Sequence, residues 1–168
     1  MTERVNVGTA VLHDYSGDVF DAGTDVFVNP WNRNFVPRWL MQPGGISGAL
    51  LTRTGPEPWK ELAQRRLLVL GEAVLTGSGQ WDGAAAIVHV AGINAAWRAS
   101  ECSVRTAARN AVDATAAAGF SSMLLPLIGS GHGGLDPVTV RAAIIDELSE
   151  AGHAGARAVD VYVPVVVN

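Results

Sequence analysis

The residues best placed for chemistry lie in two glycine-rich turns, at 43–48 and 129–134. The second turn reads Gly129-Ser-Gly-His-Gly-Gly134, follows an apolar run and precedes Asp136-Pro137, a typical helix start. Glycines let a backbone approach a phosphate closely, and the dipole at a helix N-terminus favours negative charge. The second turn therefore predicts an anion site built from main-chain N–H groups, although a turn with no chemical role stays open.

Two familiar nucleotide-binding patterns do not account for this turn. Gly129, Gly131 and Gly134 match GxGxxG, but a dinucleotide-binding fold places that motif after its first strand. Too few residues follow Gly134 to supply the rest of such a fold. A phosphate loop of the Walker type is excluded as well, because no lysine and Ser/Thr pair follows the glycines.

The first turn, Pro43-Gly-Gly-Ile-Ser-Gly48, leads into a second segment of helical pattern, at 47–54. Its small residues offer another set of N–H donors at another helix start. Two such turns that face each other can hold a diphosphate between them. The pair is therefore stronger evidence for an anion site than either turn alone.

Two asparagines end the apolar run Asp25-Val-Phe-Val-Asn-Pro-Trp-Asn32. An amide side chain both donates and accepts hydrogen bonds, which suits the hydroxyl groups of a ribose. Asn32 is therefore a candidate ligand contact. Asn29 is a second candidate, but it could equally shape the turn at Pro30, because asparagine is favoured in turns.

The elements that must position these residues alternate between strand and helix. Strands are predicted at 5–7, 9–13, 25–28, 73–76, 86–90, 123–128 and 159–166. Helices are predicted at 47–54, at 58–68, from Ser103 as N-cap to about 118, and from Asp136 with an apolar face of Val138, Ala142, Ile145 and Leu148. This alternation, with continuous apolar strands, predicts an α/β sandwich in one domain, residues 1–168.

Composition narrows the class of protein further. Apolar residues make up 48% and charged residues 17% of the chain, which excludes disorder. The net charge of −4 provides no attraction for nucleic acid or an anionic membrane, so neither is an expected partner. The absence of a bilayer-spanning apolar run or a leader-like N-terminus favours a cytoplasmic protein.

Cysteine and histidine usage predicts neither a redox site nor a metal site. Cys102 is the only cysteine, and we expect it to pack in the interior. The four histidines, at 13, 89, 132 and 153, lack the spacing of metal ligands. No cofactor or metal is therefore expected.

Five short motifs resemble, in order, those of the macrodomain family. They are Gly17-Asp18-Val19, Val28-Asn29-Pro30-Trp31-Asn32, Gly44-Gly45-Ile46-Ser47-Gly48, Ile87-Val88-His89-Val90 and Pro126-Leu-Ile-Gly-Ser-Gly-His-Gly-Gly134. The family pattern is roughly GDI, VNAAN, GGGV, IIH and P-x-x-TG-x-x-G. The resemblance implies a three-layer α/β/α sandwich with a mixed central sheet, and an ADP-ribose cleft at the strand ends.

Carried over by position, the resemblance assigns ligand roles along this cleft. Asp18 would accept a hydrogen bond from the adenine amino group, Val19 would face the base, and Asn32 would hold the distal ribose. The diphosphate would lie between the first-turn residues Gly44, Gly45, Ile46 and Ser47 and the second-turn residues Gly129, Ser130, Gly131, His132 and Gly133. The implied partner is ADP-ribose or an ADP-ribosylated protein, and His89 is expected to be structural.

Ser47 is the main departure from the family pattern. Relatives that remove ADP-ribose from acidic side chains carry an aspartate here, and another known route needs a lysine and a second-turn aspartate. Lys60 is the only lysine, and Gly133 occupies that second-turn position. Hydrolysis of ADP-ribosyl esters on glutamate or aspartate, with Asn32 as the catalytic residue, is nevertheless our leading hypothesis. A non-catalytic ADP-ribose reader and an ADP-ribose 1″-phosphate phosphatase stay open.

The stretch 31–42, WNRNFVPRWLMQ, is longer than the corresponding link in the family. It could be an insertion packed on its own aromatic residues. Alternatively, it could form a rim element in which Arg33 or Arg38 contacts the ligand or the modified protein.

Overall fold

The computed structural model describes residues 8–34, 43–150 and 157–167. The strands are β1 (Gly8–Tyr15), β2 (Val26–Trp31), β3 (Ala73–Gly77), β4 (Ala86–Ala91), β5 (Ser122–Leu124) and β6 (Arg157–Pro164). The helices are α1 (Gly45–Thr54), α2 (Glu57–Ala63), α3 (Glu101–Ala117) and α4 (Pro137–Ser149), with a short 3-10 helix at Val19–Asp21. The strand predicted at 5–7, Arg38 and most of the 31–42 stretch lie outside the described residues.

The six strands form one mixed sheet in the order β1-β6-β5-β2-β4-β3. Neighbouring strands run parallel from β1 to β4, and β3 alone pairs antiparallel, at the edge beside β4. This confirms the mixed central sheet. The parallel strands place their carboxyl ends at one edge, where the connecting loops gather.

Helices cover both faces of the sheet. Alternate residues of β2 therefore pack into two different core clusters, one on each face. Val26 and Val28 pack with α3 and α4 in one core cluster. Phe27 and Trp31 pack with Leu50 of α1, and with α2, in the other. The result is the three-layer α/β/α sandwich that the sequence predicts.

Side-chain caps fix where the two long helices begin. Ser100 caps α3 in a reciprocal capping box, in which its hydroxyl accepts from Ser103 N and Ser103 Oγ accepts from Ser100 N. The prediction of Ser103 as N-cap is therefore wrong by one turn. For α4, Asp136 is the N-cap and accepts from the amide of Thr139, with Pro137 at the first helical position, as predicted.

The buried face of α4 differs from the predicted one. Val140, Ala143, Ile144 and Leu148 are buried, whereas Val138 is 56% exposed and Ala142 is also exposed. Because apolar residues occur on both sides of this helix, their spacing alone selects the wrong side. Leu148 is the one residue shared by the predicted and observed faces.

Three further expectations are corrected. The strand predicted at 123–128 ends at Leu124, because the chain then turns at Pro126, which has no N–H to donate to a sheet. The helix predicted at 58–68 ends at Ala63, and the amide of Leu68 instead bonds the carbonyl of Arg33. Cys102 is exposed in the first turn of α3 rather than buried.

The connections leave the sheet on opposite faces at two neighbouring parallel strands, β2 and β5. The connection after β2 passes to α1 on one face, whereas the connection after β5 passes to α4 on the opposite face. In open α/β sheets, the crevice beyond the carboxyl ends of such a strand pair is the usual ligand site. Both glycine-rich turns follow these two strands.

Candidate functional site

A cavity of about 490 Å³ opens at the carboxyl ends of β2, β4 and β5. Its volume lies in the range of small-molecule sites. Its walls come from the end of β2, the N-terminus of α1, the loop after β4 and the second glycine turn. The lining residues are Pro30, Trp31, Asn32, Pro43, Gly44, Gly45, Ile46, Ser47, Gly92, Ile93, Trp97, Leu127, Ile128, Gly129, Ser130, Gly131, His132 and Gly133.

The first turn presents an uncapped helix N-terminus to this cavity. Gly44 is the N-cap of α1 and provides no side-chain acceptor. The first bond within the helix runs from Gly48 N to Gly44 O at 3.1 Å, so the N–H groups of Gly45, Ile46 and Ser47 have no acceptor within the helix. Gly45 has φ +54°, a conformation that glycine adopts without strain. The turn therefore offers three donors and the positive end of a helix dipole.

The second turn offers a matching set of amides. Bonds from Leu135 N to Gly129 O (3.0 Å) and from Gly134 N to Gly131 O (3.1 Å) close the turn. Along the described chain, the amides at 131–133 have no protein acceptor. They lie at the cavity wall, where an anion would supply the missing acceptors.

The second turn is held against its neighbours by tight packing at Gly133. A Cβ on this residue would lie 2.6 Å from the carbonyl oxygen of Gly129 and 2.8 Å from Cβ of Ala99. Gly133 also accepts a hydrogen bond from Ala99 N at 3.1 Å. Gly131, by contrast, has open space where its Cβ would be.

The two turns face each other across the cavity. A Cβ built on Gly44 would lie 3.5 Å from Cε1 of His132, which is an ordinary contact distance. The structure therefore brings the two predicted sets of amide donors to one gap. Groups arranged in this way can hold a bridging anion such as a diphosphate.

Asn32 lies in the cavity wall at the end of β2 and is 7% exposed. Its Oδ1 accepts from the amide of Asn34 at 2.7 Å, which fixes the orientation of the side chain. Its Nδ2 has no acceptor within the described part of the chain. Asn32 can therefore donate to an oxygen of a bound molecule.

Asn29 lies behind the wall, and its side chain is engaged within the protein. It is 0% exposed and does not line the cavity. Its Oδ1 lies 2.8 Å from Ser47 Oγ, and its Nδ2 lies 2.9 Å from Nδ1 of His89. Both ends of the Asn29 amide therefore have protein partners, which favours a structural role over contact with a ligand.

These contacts belong to a buried chain of hydrogen bonds that joins Ser47, Asn29, His89 and Thr76. The direction of each bond can be assigned. Because the Asn29 amide nitrogen is a donor, Nδ1 of His89 accepts and Nε2 carries the proton, which it donates to Thr76 Oγ1 at 3.0 Å. The hydroxyl of Thr76 then donates to the carbonyl of Gly77. Complete burial lowers the pKa of His89 from 6.5 to about 3, so the imidazole is neutral.

The Ser47 hydroxyl forms the end of this chain nearest the cavity. Its Oγ lies 2.8 Å from Asn29 Oδ1 and 2.9 Å from the carbonyl oxygen of Pro30. Both neighbours are acceptors, so the hydroxyl proton points into the protein. The side chain therefore ties α1 to β2.

Asp18 and Val19 lie apart from the cavity lining, at the 3-10 helix that follows β1. The Asp18 carboxylate caps that helix by accepting from Phe20 N at 2.9 Å. Val19 is partly buried and packs against the α1–α2 side of the core. Neither residue is brought to the turns that line the cavity.

The cavity wall carries almost no titratable groups. Among the described lining residues there is no Asp, Glu, Lys or Arg, and His132, which is exposed, is the one histidine. Over the same described ranges, no cluster of His, Cys, Asp or Glu could hold a metal ion, and no helix is long and apolar enough to cross a membrane. Anion binding here therefore depends on main-chain amides.

The loop after β4 is the part of the wall that sequence reasoning missed. It contributes Gly92, Ile93 and Trp97. The sequence signal was available, because this loop follows a predicted apolar strand and carries a tryptophan among small residues.

Comparison with known proteins identifies the family. The Macro domain family matches this chain over residues 28–144, which is more than half of its length. The chain belongs to the Macro domain family. Both glycine turns, Asn29 and Asn32 lie within the matched range, whereas Asp18 and Val19 precede it.

Two relatives and two solved structures show how far this macrodomain is similar to others. It is 26% identical over 164 residues to human protein mono-ADP-ribosyltransferase PARP14, covering 98% of this chain but only 8% of that protein. It is 29% identical over 132 residues to an uncharacterized protein of Aquifex aeolicus, covering 79% of this chain and 77% of the other.

The Trypanosoma brucei macrodomain in complex with ADP-ribose has a TM-score of 0.75 at 22% identity, over 91% of this chain and 63% of that chain. The Oceanobacillus iheyensis macrodomain with MES bound has a TM-score of 0.76 at 24% identity, over 91% and 82%. At these identities, the structural similarity concerns the fold.

Proposed function

We propose that this macrodomain binds ADP-ribosyl groups in the cavity and slowly hydrolyses those attached as esters to glutamate or aspartate. The observation that carries the proposal is the pair of turns that line one cavity, because the amides at 45–47 have no acceptor within α1 and those at 131–133 have none along the described chain. A diphosphate offers the acceptors that both turns lack. The structural neighbours include one complex with ADP-ribose and one with ADP, which supports the same ligand class.

The orientation of the ligand follows from the sheet order. With the diphosphate between the turns, the distal ribose would lie at Asn32, whose Nδ2 is free to donate to a hydroxyl. The adenine would then extend towards β6 and β1, in the direction of Asp18 and Val19. The resemblance to macrodomains implies the same order of contacts.

Hydrolysis in such a site would depend on orientation more than on acid–base groups. Cleavage at the anomeric carbon passes through an oxocarbenium-like state, and a water held beside the diphosphate can attack it. Positioning can lower a barrier by about 7–11 kcal/mol at best. The described wall has no carboxylate, so a general-base contribution of about 10²–10⁴-fold is absent and turnover should be slow.

Ligand binding is tested with a matched pair of variants at Gly131. This residue is exposed, its φ is outside the left-handed region, and a Cβ there meets open space, so both variants should fold. Gly131→Glu adds a negative charge beside the proposed diphosphate, whereas Gly131→Gln adds the same bulk without charge. In calorimetric titration with ADP-ribose, we expect the Glu variant to bind at least about tenfold more weakly than the Gln variant. Equal affinities would remove the diphosphate from this gap.

Hydrolysis is tested by following label release from a glutamate-ADP-ribosylated protein over hours. Asn32→Ala should abolish release, because the ribose loses its anchoring donor. Asn32→Asp is the control: it keeps an acceptor for the Asn34 amide but loses the Nδ2 donor, so it should fold normally and still fail to release label. Unchanged turnover in both variants would refute the role of Asn32.

A second candidate function is recognition of ADP-ribose without turnover. It is favoured by the absence of carboxylates from the described wall and by the inward direction of the Ser47 hydroxyl. Retention of label on the modified protein, together with micromolar binding of ADP-ribose, would identify this reader function. Release of inorganic phosphate from ADP-ribose 1″-phosphate would instead identify a phosphatase.

A further inference from the structure

Trp97 occupies an unusual position in the cavity wall. It lies in the loop between β4 and α3, lines the cavity with Ile93, and has φ +59°. A positive φ is uncommon outside glycine and is an outlier for a bulky residue. Strain of this kind persists only where surrounding contacts impose it, and it clusters at functional sites.

The contacts that impose this conformation come from Asn94. Its side-chain Oδ1 accepts from the amides of Ala96 (2.9 Å) and Arg98 (3.1 Å). Its main chain adds two more bonds, from Asn94 N to Arg98 O and from Trp97 N to Asn94 O. Four hydrogen bonds therefore fold residues 94–98 into a compact loop that holds Trp97 at the wall.

The loop is also fixed to the second glycine turn. Ala99, which follows the compact loop, donates its N–H to the carbonyl of Gly133 at 3.1 Å. The backbone that follows Trp97 and the backbone of the second turn are thereby joined. A ligand that engages the turn would lie in the same cavity as Trp97.

The sheet order indicates which end of the ligand would lie near Trp97. β2 lies between β5 and β4, so the loop after β4 is on the far side of Asn32 from the β5, β6 and β1 end of the cleft. If the distal ribose lies at Asn32, the wall formed by Ile93 and Trp97 lies beyond it. The group attached to the anomeric carbon would be there.

We propose that Trp97, supported by Ile93, is a specificity-determining residue that contacts this attached group and selects ADP-ribose linked to polypeptide over free ADP-ribose. The inference rests on the proposed function of the cleft. The described part of this wall is apolar and uncharged, and an indole face packs well on the planar ester and on the peptide groups of a modified segment. A free ribose hydroxyl offers no such surface.

Trp97→Gly provides a direct test, because glycine accepts φ +59° without strain and the loop should keep its conformation. Calorimetry would compare free ADP-ribose with a peptide that carries ADP-ribose through a non-hydrolysable linkage. The wild type should bind the peptide more tightly, and Trp97→Gly should reduce the ratio of the two affinities about tenfold. Trp97→Phe, which keeps an aromatic face, should restore part of that ratio.

The outcomes distinguish a failure of this inference from a failure of the proposed function. If the wild type binds ADP-ribose but the affinity ratio is the same in wild type and Trp97→Gly, Trp97 does not select the attached group. If the wild type binds neither compound, the proposed function fails and the inference fails with it. Thermal unfolding of each variant checks that the comparison is made on folded protein.

Discussion

Because His89 is neutral in the folded protein, the free energy of unfolding should fall by a predictable amount as the pH is lowered. In the folded protein this imidazole is completely buried, accepts a hydrogen bond from Asn29 and donates one to Thr76. Protonation would remove the acceptor at Nδ1 and place a charge in the core. The folded state therefore resists protonation, which is why its pKa is lowered to about 3.

The sign and size of the effect follow from linkage. Below the ordinary pKa of 6.5, the unfolded chain binds a proton at His89 that the folded chain does not, so stability falls as the pH falls. A tenfold difference in proton affinity corresponds to about 1.4 kcal/mol. The free energy of unfolding should lose about 2 kcal/mol from this group by about pH 5, and about 4 kcal/mol by the time the folded pKa is reached.

The assay is urea unfolding at about pH 7.5 and about pH 5 for the wild type and His89→Gln. Glutamine lacks the titrating group, so the loss of stability between the two pH values should be about 2 kcal/mol smaller in the variant. His132→Gln is the matched control, because it makes the same replacement at an exposed position. Equal pH dependence in the wild type and His89→Gln would refute a neutral, buried imidazole.

Three further predictions concern the same framework. Ser47→Ala leaves the buried Oδ1 of Asn29 without its donor and should cost about 1–3 kcal/mol in urea unfolding, and an unchanged midpoint would argue against that bond. Ser100→Ala removes the cap of α3 and should lower stability by about 1 kcal/mol, whereas a neutral result would contradict the capping box. Gly133→Ala should weaken ADP-ribose binding more than Gly131→Ala does, because its Cβ meets the backbone of the turn; equal affinities would show that the turn adjusts freely.

Periodicity and turn composition predict most of the fold. Six of the seven predicted strands and all four predicted helices overlap observed elements, because apolar runs and helix-start residues such as Asp136-Pro137 report on local backbone preference. The buried side of α4 could not be predicted in the same way. Val138 and Ile144 are equally apolar, and the contact with α3 that buries Ile144 is a tertiary one.

The candidate site shows the same division between local and tertiary information. The glycine-rich composition of the two turns predicts N–H donors by itself, so their positions could be predicted from the sequence. The two asparagines could not be told apart, because the partners that bury Asn29 are Ser47 and His89, 18 and 60 positions away. Asn32 lies three residues further on, past the end of β2, where its amide reaches the cavity.

Ser47 connects the stability of this macrodomain to its proposed chemistry. An aspartate at this position would add a carboxylate to a wall that has none among its described residues. The serine instead directs its proton towards Asn29 and Pro30, which fixes the first turn of α1, with its uncapped amides at 45–47, against β2. The same side chain thus favours a rigid diphosphate site and contributes no general base. A site of this kind should bind ADP-ribose measurably but hydrolyse an ADP-ribosyl ester only slowly. Whether any label is released from the modified protein, at an affinity that is the same in both cases, distinguishes slow hydrolysis from recognition alone.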